Sequence, residues 1–353
     1  MELSAGPVYN KWMKNSRLLL FIFMLPLLGF LALRLIPRSP SEPLPDESSL
    51  IAGAFTLQGQ TYSVVRGKAW RRGSDGRWSF IEQLYDPDFF EKNYVVENGV
   101  TFRRDPESGK LYQMRKTFSS TFEEAASVRE LIGEKHGWTE FTLQSPQARS
   151  IPEYVALRTA ILKGEASFRD NRVEPSAELA HEGKQSLKCV SVAPVRDMIT
   201  AKASLGTELI HFVKDDDLWF SGWYFLKSGM PYTLMDLECA WINQAPGLRI
   251  MIENGELLVE LKWADKPRYT QGKQKTKFPA GKWVQVKAHF KLSEKEDGLV
   301  ELWQDGVQIV SVKGRTLPLS DTVYNTLEIG ISATSGDAML YVDDIEVSDK
   351  PLP

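Results

Sequence analysis

The chain has 353 residues, room for about two domains at roughly 150 residues each. Its 43 basic side chains nearly balance 46 acidic ones, a formal net charge of -3, so there is no global basic field and nucleic acid is not expected as a partner. Two cysteines, Cys189 and Cys239, are too few for a disulfide scaffold or a cysteine zinc site, and the four histidines lack metal-ligand spacing.

Leu18 to Leu33 is an unbroken apolar run, LLLFIFMLPLLGFLAL, extended past Arg34 by Leu35 and Ile36. This is close to the ~20 residues that span a bilayer, and Arg34 can snorkel to the interface. Residues 18–36 are therefore expected to form a transmembrane helix in the lipid bilayer. No small-x-small site follows, which favours an uncleaved anchor over a cleaved signal peptide. Lys11, Lys14 and Arg17 precede the run, and Glu42, Asp46 and Glu47 follow it. The positive-inside rule then keeps residues 1–17 in the cytoplasm and places the bulk of the chain outside it, as a single-pass protein of the cell membrane. Residues 37–49, PRSPSEPLPDESS, read as a stiff spacer.

Residues 50–118 read as a small β unit. Trp70 and Trp78 flank a turn, and Asn98-Gly99 joins Tyr94–Glu97 to Val100–Arg104 as a hairpin. Leu111 to Met114 is a further short strand. Arg71, Arg72, Arg77, Arg103 and Arg104 gather at these turns, either as a patch for an anionic glycan or lipid headgroup or as solvated loop charge. Over 119–137, Ser120 and Glu123 have capping-box spacing, Phe122, Ala125, Val128 and Ile132 fall near helical spacing, and Gly137 suits a stop. A linking helix is expected there. Ile151 to Lys163, with Pro152 in its first turn and Gly164 at its end, is a second candidate helix.

From Trp138 onward, strand signals recur. They fall at Phe141–Gln144, Ser186–Val192, Leu209–Val213, Leu218–Leu226, Arg249–Glu253, Glu256–Trp263, Thr326–Ser332 and Met339–Val347. The clearest is the meander from Phe278 to Val312. There Trp283, Gln285, Lys287, His289 and Lys291 alternate with Val284, Val286, Ala288, Phe290 and Leu292, and Asp305-Gly306 marks a tight turn. Many short antiparallel strands over 138–349 fit a two-sheet jelly roll. The fold class is mainly β: a jelly roll preceded by a small β unit, one or two helices and a transmembrane helix.

The segments Gly183-Lys184-Gln185-Ser186-Leu187, Trp219-Phe220-Ser221-Gly222-Trp223, Lys282-Trp283-Val284-Gln285-Val286 and Gly298 to Gly306, with the closing strand Leu340 to Val347, carry a resemblance. The domain resembles the concanavalin A-like lectin/glucanase superfamily. Within it, the heparin-lyase-like and glucuronan-lyase-like polysaccharide lyases are nearest. The motifs specify strands and turns, so they speak to fold more than to activity.

The resemblance implies two chemistries to look for. Retaining glucanases of the superfamily carry Glu-x-Asp-x-x-Glu on one strand, as nucleophile and acid/base. Nothing here matches, and Asp236-Leu237-Glu238 has the wrong spacing. A polysaccharide lyase needs a base beside the uronate and cations or amides to neutralise its carboxylate. The Arg-Ser-Glu and Gln-Ile-His strands of the alginate-lyase branch are absent. The remaining catalytic candidates are His289 or Tyr269 as base, with Arg268 and Lys287 as neutralisers; Glu260 and Lys262 alternate with apolar residues nearby. Against this, Gln285, Lys287 and His289 read as the solvated outer face of the sheet.

Trp219, Trp223, Trp241, Trp263 and Trp303, with Gln285, are candidates for a glycan-binding surface, because sugars stack on exposed aromatic rings; core packing is the competing use. Asp215-Asp216-Asp217 offers hard oxygens suited to calcium, or a polar turn. Cys189 and Cys239 stand either as a disulfide or as two buried thiols. Three functions compete: a glycan-binding module without catalysis, a membrane-tethered lyase of an acidic polysaccharide, and a structural module binding protein.

Overall fold

The computed structural model describes residues 44–353 apart from 53, 58–59, 84–91, 105–108, 134, 145–150, 195–199, 240–246 and 264–265. The expected span 18–36 and most of the spacer lie outside the described residues. Among those described, no helix is long and apolar enough to cross a membrane.

The architecture is mainly antiparallel β with few helices. After α1 (Glu47–Ala52), strands β1 (Ala54–Leu57), β2 (Gln60–Val65), β3 (Lys68–Arg72) and β4 (Trp78–Gln83) form a four-stranded sheet in chain order. Next, β5 (Tyr94–Glu97), β6 (Val100–Arg104) and β7 (Leu111–Gln113) form a three-stranded sheet. Asn98 and Gly99 take φ of 51° and 77°, the left-handed pair that a two-residue hairpin demands.

The helix expected over 119–137 does not form. Residues Phe118–Ser120 are strand β8, and only α2 (Val128–Leu131) is helical. Phe122 and Glu124 lie at φ of 59° and 63°, left-handed values that no helix continues through. The Glu123 carboxylate accepts the backbone N–H groups of Lys184 at 2.8 Å and Gln185 at 3.0 Å instead of closing a capping box. Phe122 stacks on the buried Trp138 ring. Tertiary contacts thus override local spacing. The second expected helix is present as α3 (Ile151–Lys163), and Gly164 ends it at φ 76°.

The remaining strands are β9 (Glu140–Gln144), β10 (Arg172–Ser176), β11 (Ser186–Ser191), β12 (Ala201–Thr207), β13 (Asp217–Ser228), β14 (Thr233–Glu238), β15 (Leu248–Glu253), β16 (Glu256–Leu261), β17 (Arg268–Tyr269), β18 (Trp283–Lys291), β19 (Leu299–Gln304), β20 (Val307–Lys313), β21 (Thr326–Thr334) and β22 (Ala338–Ser348). They make two large sheets, in keeping with a jelly roll. Sheet I runs β10-β11-β22-β13-β18-β19-β20, with β8 also paired to β22. Sheet II runs β17-β16-β15-β14-β21-β12-β9. The expected strand at Leu209–Val213 is reduced to isolated bridges, Arg115 with Ile210 and Phe212 with Tyr324.

The core lies between the sheets. Phe220, Tyr224, Val286 and Phe290 come from sheet I, and Phe141, Leu205, Ile250 and Ile329 from sheet II. Every residue of β12 is buried, and all but one of β21. The central strands of sheet II are therefore covered on both faces, although only one face meets the core. The other face carries polar side chains, and Lys202, Ser204, Asp236, Glu328 and Ser332 among them are themselves buried. Cys189 on β11 and Cys239 after β14 are buried thiols not joined in a disulfide.

Candidate active site

The outer face of sheet II carries an unbroken cross-strand row. Glu140 on β9 pairs with Gly206 on β12, and Gly206 with Glu328 on β21. Glu328 pairs with Asp236 on β14, Asp236 with Arg249 on β15, Arg249 with Glu260 on β16, and Glu260 with Arg268 on β17. Their chain neighbours Phe141, Leu205, Leu327, Leu237, Ile250 and Val259 point into the core. Period-two alternation sends the ionisable set the other way. Lys202, Ser204, Glu238, Lys262 and Ser332 share this face, two or four residues from row members.

The row is closely bonded. Lys262 donates to Asp236 Oδ1 at 2.7 Å and to Glu238. Asp236 also accepts from the Ser332 hydroxyl, and Glu328 from that of Ser204. Arg249 donates through Nε and Nη2 to Glu260 Oε1, at 3.1 and 2.6 Å. Arg268 reaches Glu253 at 2.8 Å. Lys202 differs from these cations. It is only 8% exposed, and its ammonium makes neither a hydrogen bond nor a close ion pair among the described residues.

Burial and charge set the protonation of this face. Burial, and next the charge of Glu208, pushes the Glu140 carboxyl up to about 8. Burial likewise raises Glu328, assisted by Glu238 and Asp236 and opposed by Lys202. Asp236 is buried too, but Lys262 and Arg249 outweigh that and hold it below the usual carboxylate range. Burial disfavours charge on Lys202, yet Glu328, Glu238 and Asp236 overcome it and raise its pKa. One face thus holds a carboxyl that keeps its proton near neutrality, a second shifted the same way, and a cation without a bonded partner.

Gly206 sits between Glu140 and Glu328. A Cβ there would lie 3.1 Å from Glu140 Cγ, so the Glu140 side chain leans over the glycine. The missing side chain is what lets Glu140 lie across β12 toward Glu328.

The residues singled out in the sequence fall in three other places. His289 is on the outer face of sheet I, with Nδ1 2.8 Å from Glu301 and Nε2 2.8 Å from Asp217, and it stacks on Trp219 at 4.0 Å. Both ring nitrogens are thus engaged by carboxylates. Lys287, on the same face, donates to the Pro353 carbonyl at 3.2 Å and lies over the Trp303 ring. Gln285 donates to Ser221 at 3.3 Å. Arg268 is in the sheet II row. Tyr269, next to it, points the opposite way into the core, where its hydroxyl donates to the Arg315 carbonyl at 2.6 Å. The four catalytic candidates are therefore not assembled: two lie on sheet I, one on the outside of sheet II and one within the core.

Of the tryptophans, Trp219, Trp223 and Trp303 share the outer face of sheet I. Their ring faces are used by neighbours, since Trp223 stacks on His181 at 3.7 Å and Trp219 lies between stacking contacts with His289 and Trp303. Trp263 belongs to the core, and Trp241 lies outside the described residues. The Asp215–Asp217 carboxylates form a turn: Asp216 accepts from Lys116 and the Val213 N–H, and Asp217 from His289 and Lys291.

Glu140, Lys202 and Glu328 were not singled out in the sequence. Glu328 was readable as an outward position of an expected strand. Lys202 and Gly206 lie in Ala-Lys-Ala-Ser-Leu-Gly-Thr, whose small inward residues hide the alternation.

A family model described as polysaccharide lyase matches residues 131–346. No curated protein matches the sequence. Among solved structures, an endo-β-1,4-glucuronan lyase from the fungus Trichoderma reesei is similar at 14% identity, over 52% of this chain and 89% of its own, with a TM-score of 0.43. A cellulose-induced protein is 15% identical over 67% of this chain and 98% of its own, with a TM-score of 0.44. An alginate lyase is 10% identical over 68% and 99%, with a TM-score of 0.39.

Proposed function

The chain belongs to the polysaccharide lyase family, and from that premise we propose that it cleaves an acidic polysaccharide by β-elimination on the outer face of sheet II. The observation that carries this reading is the pairing of Lys202, a buried cation without a bonded partner among the described residues, with Glu328, a neighbouring carboxyl whose proton affinity burial raises.

Elimination beside a uronate has three requirements. The sugar carboxylate must be neutralised so that negative charge can spread into it, the C5 proton needs an acceptor, and the departing C4 oxygen needs a donor. Lys202 supplies the neutralising charge. Glu328 takes the C5 proton, and its raised proton affinity makes its ionised form the stronger base. The C–H electron pair becomes the C4–C5 double bond and the C4–O bond breaks. The departing oxygen takes the proton that Glu140 holds at neutral pH. Glu328 ends protonated and Glu140 ionised, and exchange with water restores both. Because Glu140 lies over Gly206 on the strand between its own and that of Glu328, one sugar unit can meet both carboxyls. Lys262, Arg249 and Ser332 act one step removed, by fixing Asp236 and Glu260.

The test is incubation with a panel of uronic-acid polysaccharides, following ultraviolet absorbance from the unsaturated sugar. A rise is expected on at least one substrate. Silence on all, with a glycan still retarding the protein in an affinity gel, returns the chain to the binding-only reading. That reading rests on the shared sheet I face of Trp219, Trp223, Trp303 and Gln285. The apolar run at 18–36 supports a membrane tether that holds the enzyme outside the cytoplasm; alkaline carbonate that leaves the chain in the membrane pellet fits the tether, and release into the supernatant removes it.

A further inference from the structure

Helix α3 lies against β9, the edge strand of sheet II. The buried Tyr154 hydroxyl accepts the Leu143 N–H at 3.3 Å, and Ile161 is buried on the same side. Tyr154, Arg158 and Ile161 are spaced i, i+4 and i+7, so they occupy one helix face. A helix that packs through such a face normally presents apolar residues along it. Here the middle position is an arginine, 8% exposed.

Arg158 is poorly satisfied where it sits. Among the described residues, its buried Nε has no hydrogen-bond partner. Its one ion-pair contact among the described residues is Nη1 to Glu140 Oε2 at 3.7 Å, too long for a hydrogen bond. A guanidinium has five N–H donors in a fork that fits a carboxylate, and leaving them unmatched in a buried place is unfavourable. Glu140 is a weak counter-charge, since burial keeps its proton on near neutrality. The guanidinium therefore faces the row beside Glu140 with donors to spare, and no ionised carboxylate among the described residues bonds them.

We propose that Arg158 is a second carboxylate-binding subsite, set on α3 over the β9 edge, that holds another uronate of the same glycan chain while Lys202 holds the one being cleaved. This deepens the lyase reading and rests on it. Glu328 and Glu140 are two strands apart, about 10 Å at ~4.8 Å per strand. A glycan lying across the strands thus meets Lys202 and Arg158 in succession. The substrate class is a polyuronate with carboxylates recurring along the chain. A polysaccharide with an isolated uronate satisfies only one of the two cations.

Binding by the full chain, purified in detergent, separates the subsite from the chemistry. The probes are a hexamer of 1,4-linked glucuronic acid and the neutral glucose hexamer of the same linkage, titrated by calorimetry into wild type, Arg158→Gln and Arg158→Lys. The wild type is expected to bind the acidic hexamer and not the neutral one. Arg158→Gln is expected to weaken acidic binding tenfold or more, with Arg158→Lys recovering part of the loss. Circular dichroism of both variants checks that α3 persists. Equal acidic binding by wild type and a folded Arg158→Gln overturns the subsite, as does failure of the wild type to bind the acidic hexamer. Acidic binding that depends on Arg158, with no unsaturated product formed, sinks the lyase reading and leaves the subsite standing.

Discussion

Glu140 holds its proton in the folded chain up to about 8, against 4.5 for an ordinary glutamate. Between those values the native state binds a proton that the unfolded chain has released. Its contribution to stability is complete below about 4.5 and is lost as pH rises to about 8. The groups facing it are Arg158, Glu208, Glu328 and Glu238. Glu140→Gln removes the titration, so thermal melts across this window should show the variant gaining on the wild type as pH rises. A constant offset contradicts the shift. Little of this was legible in sequence. A motif shows a carboxylate pair only when both lie on one strand, whereas Glu140, Glu328 and Asp236 come from three strands far apart in the chain. His289 was conspicuous because strict alternation surrounds it, and the structure gives both its nitrogens to Asp217 and Glu301.

Hairpins were the most legible elements, because the left-handed φ of Asn98-Gly99, Asn254-Gly255 and Asp305-Gly306 is a local demand that sequence states directly. The expected helix at 119–137 failed because Glu123 bonds backbone more than 60 residues away, which no local pattern reveals. Strands β12 and β14 escaped notice because both are buried on two faces, so their apolar and polar positions do not separate cleanly. The glycine of β12 has a use that can be tested. Gly206→Val pushes the flexible Glu140 side chain, which can yield, off its place over β12. Turnover should fall at least tenfold while the melting temperature changes little; an equal loss of both would make Gly206 a packing residue only.

Over the whole molecule, the N-terminal segments are joined to the sandwich. β8 extends sheet I, Arg103 on β6 pairs with Glu208, and Asn325 bonds the Tyr94 hydroxyl. These joins are made by single strands and side chains, which the strand periodicity from residue 138 onward does not reveal. The two thiols report on the whole assembly. Cys189 faces the core of one sheet and Cys239 follows a strand of the other, and burial pushes Cys189 up to about 12. Neither should react with a thiol reagent in the native protein, and labelling in rising urea should follow the loss of β signal. Rapid labelling of the native chain contradicts that burial.

The central claim is that chemistry resides on the outer face of sheet II. The measurement that meets it most directly is the initial rate of unsaturated product on one active polyuronate, for wild type, Lys202→Met, Glu328→Gln and His289→Ala. Removing one preorganised electrostatic group typically costs about 10²–10³ in rate. Losses of that size are expected for Lys202→Met and Glu328→Gln, with His289→Ala retaining most of the wild-type rate. The reverse pattern, with His289→Ala inactive and the two sheet II variants unaffected, would move the active site to sheet I and contradict the account.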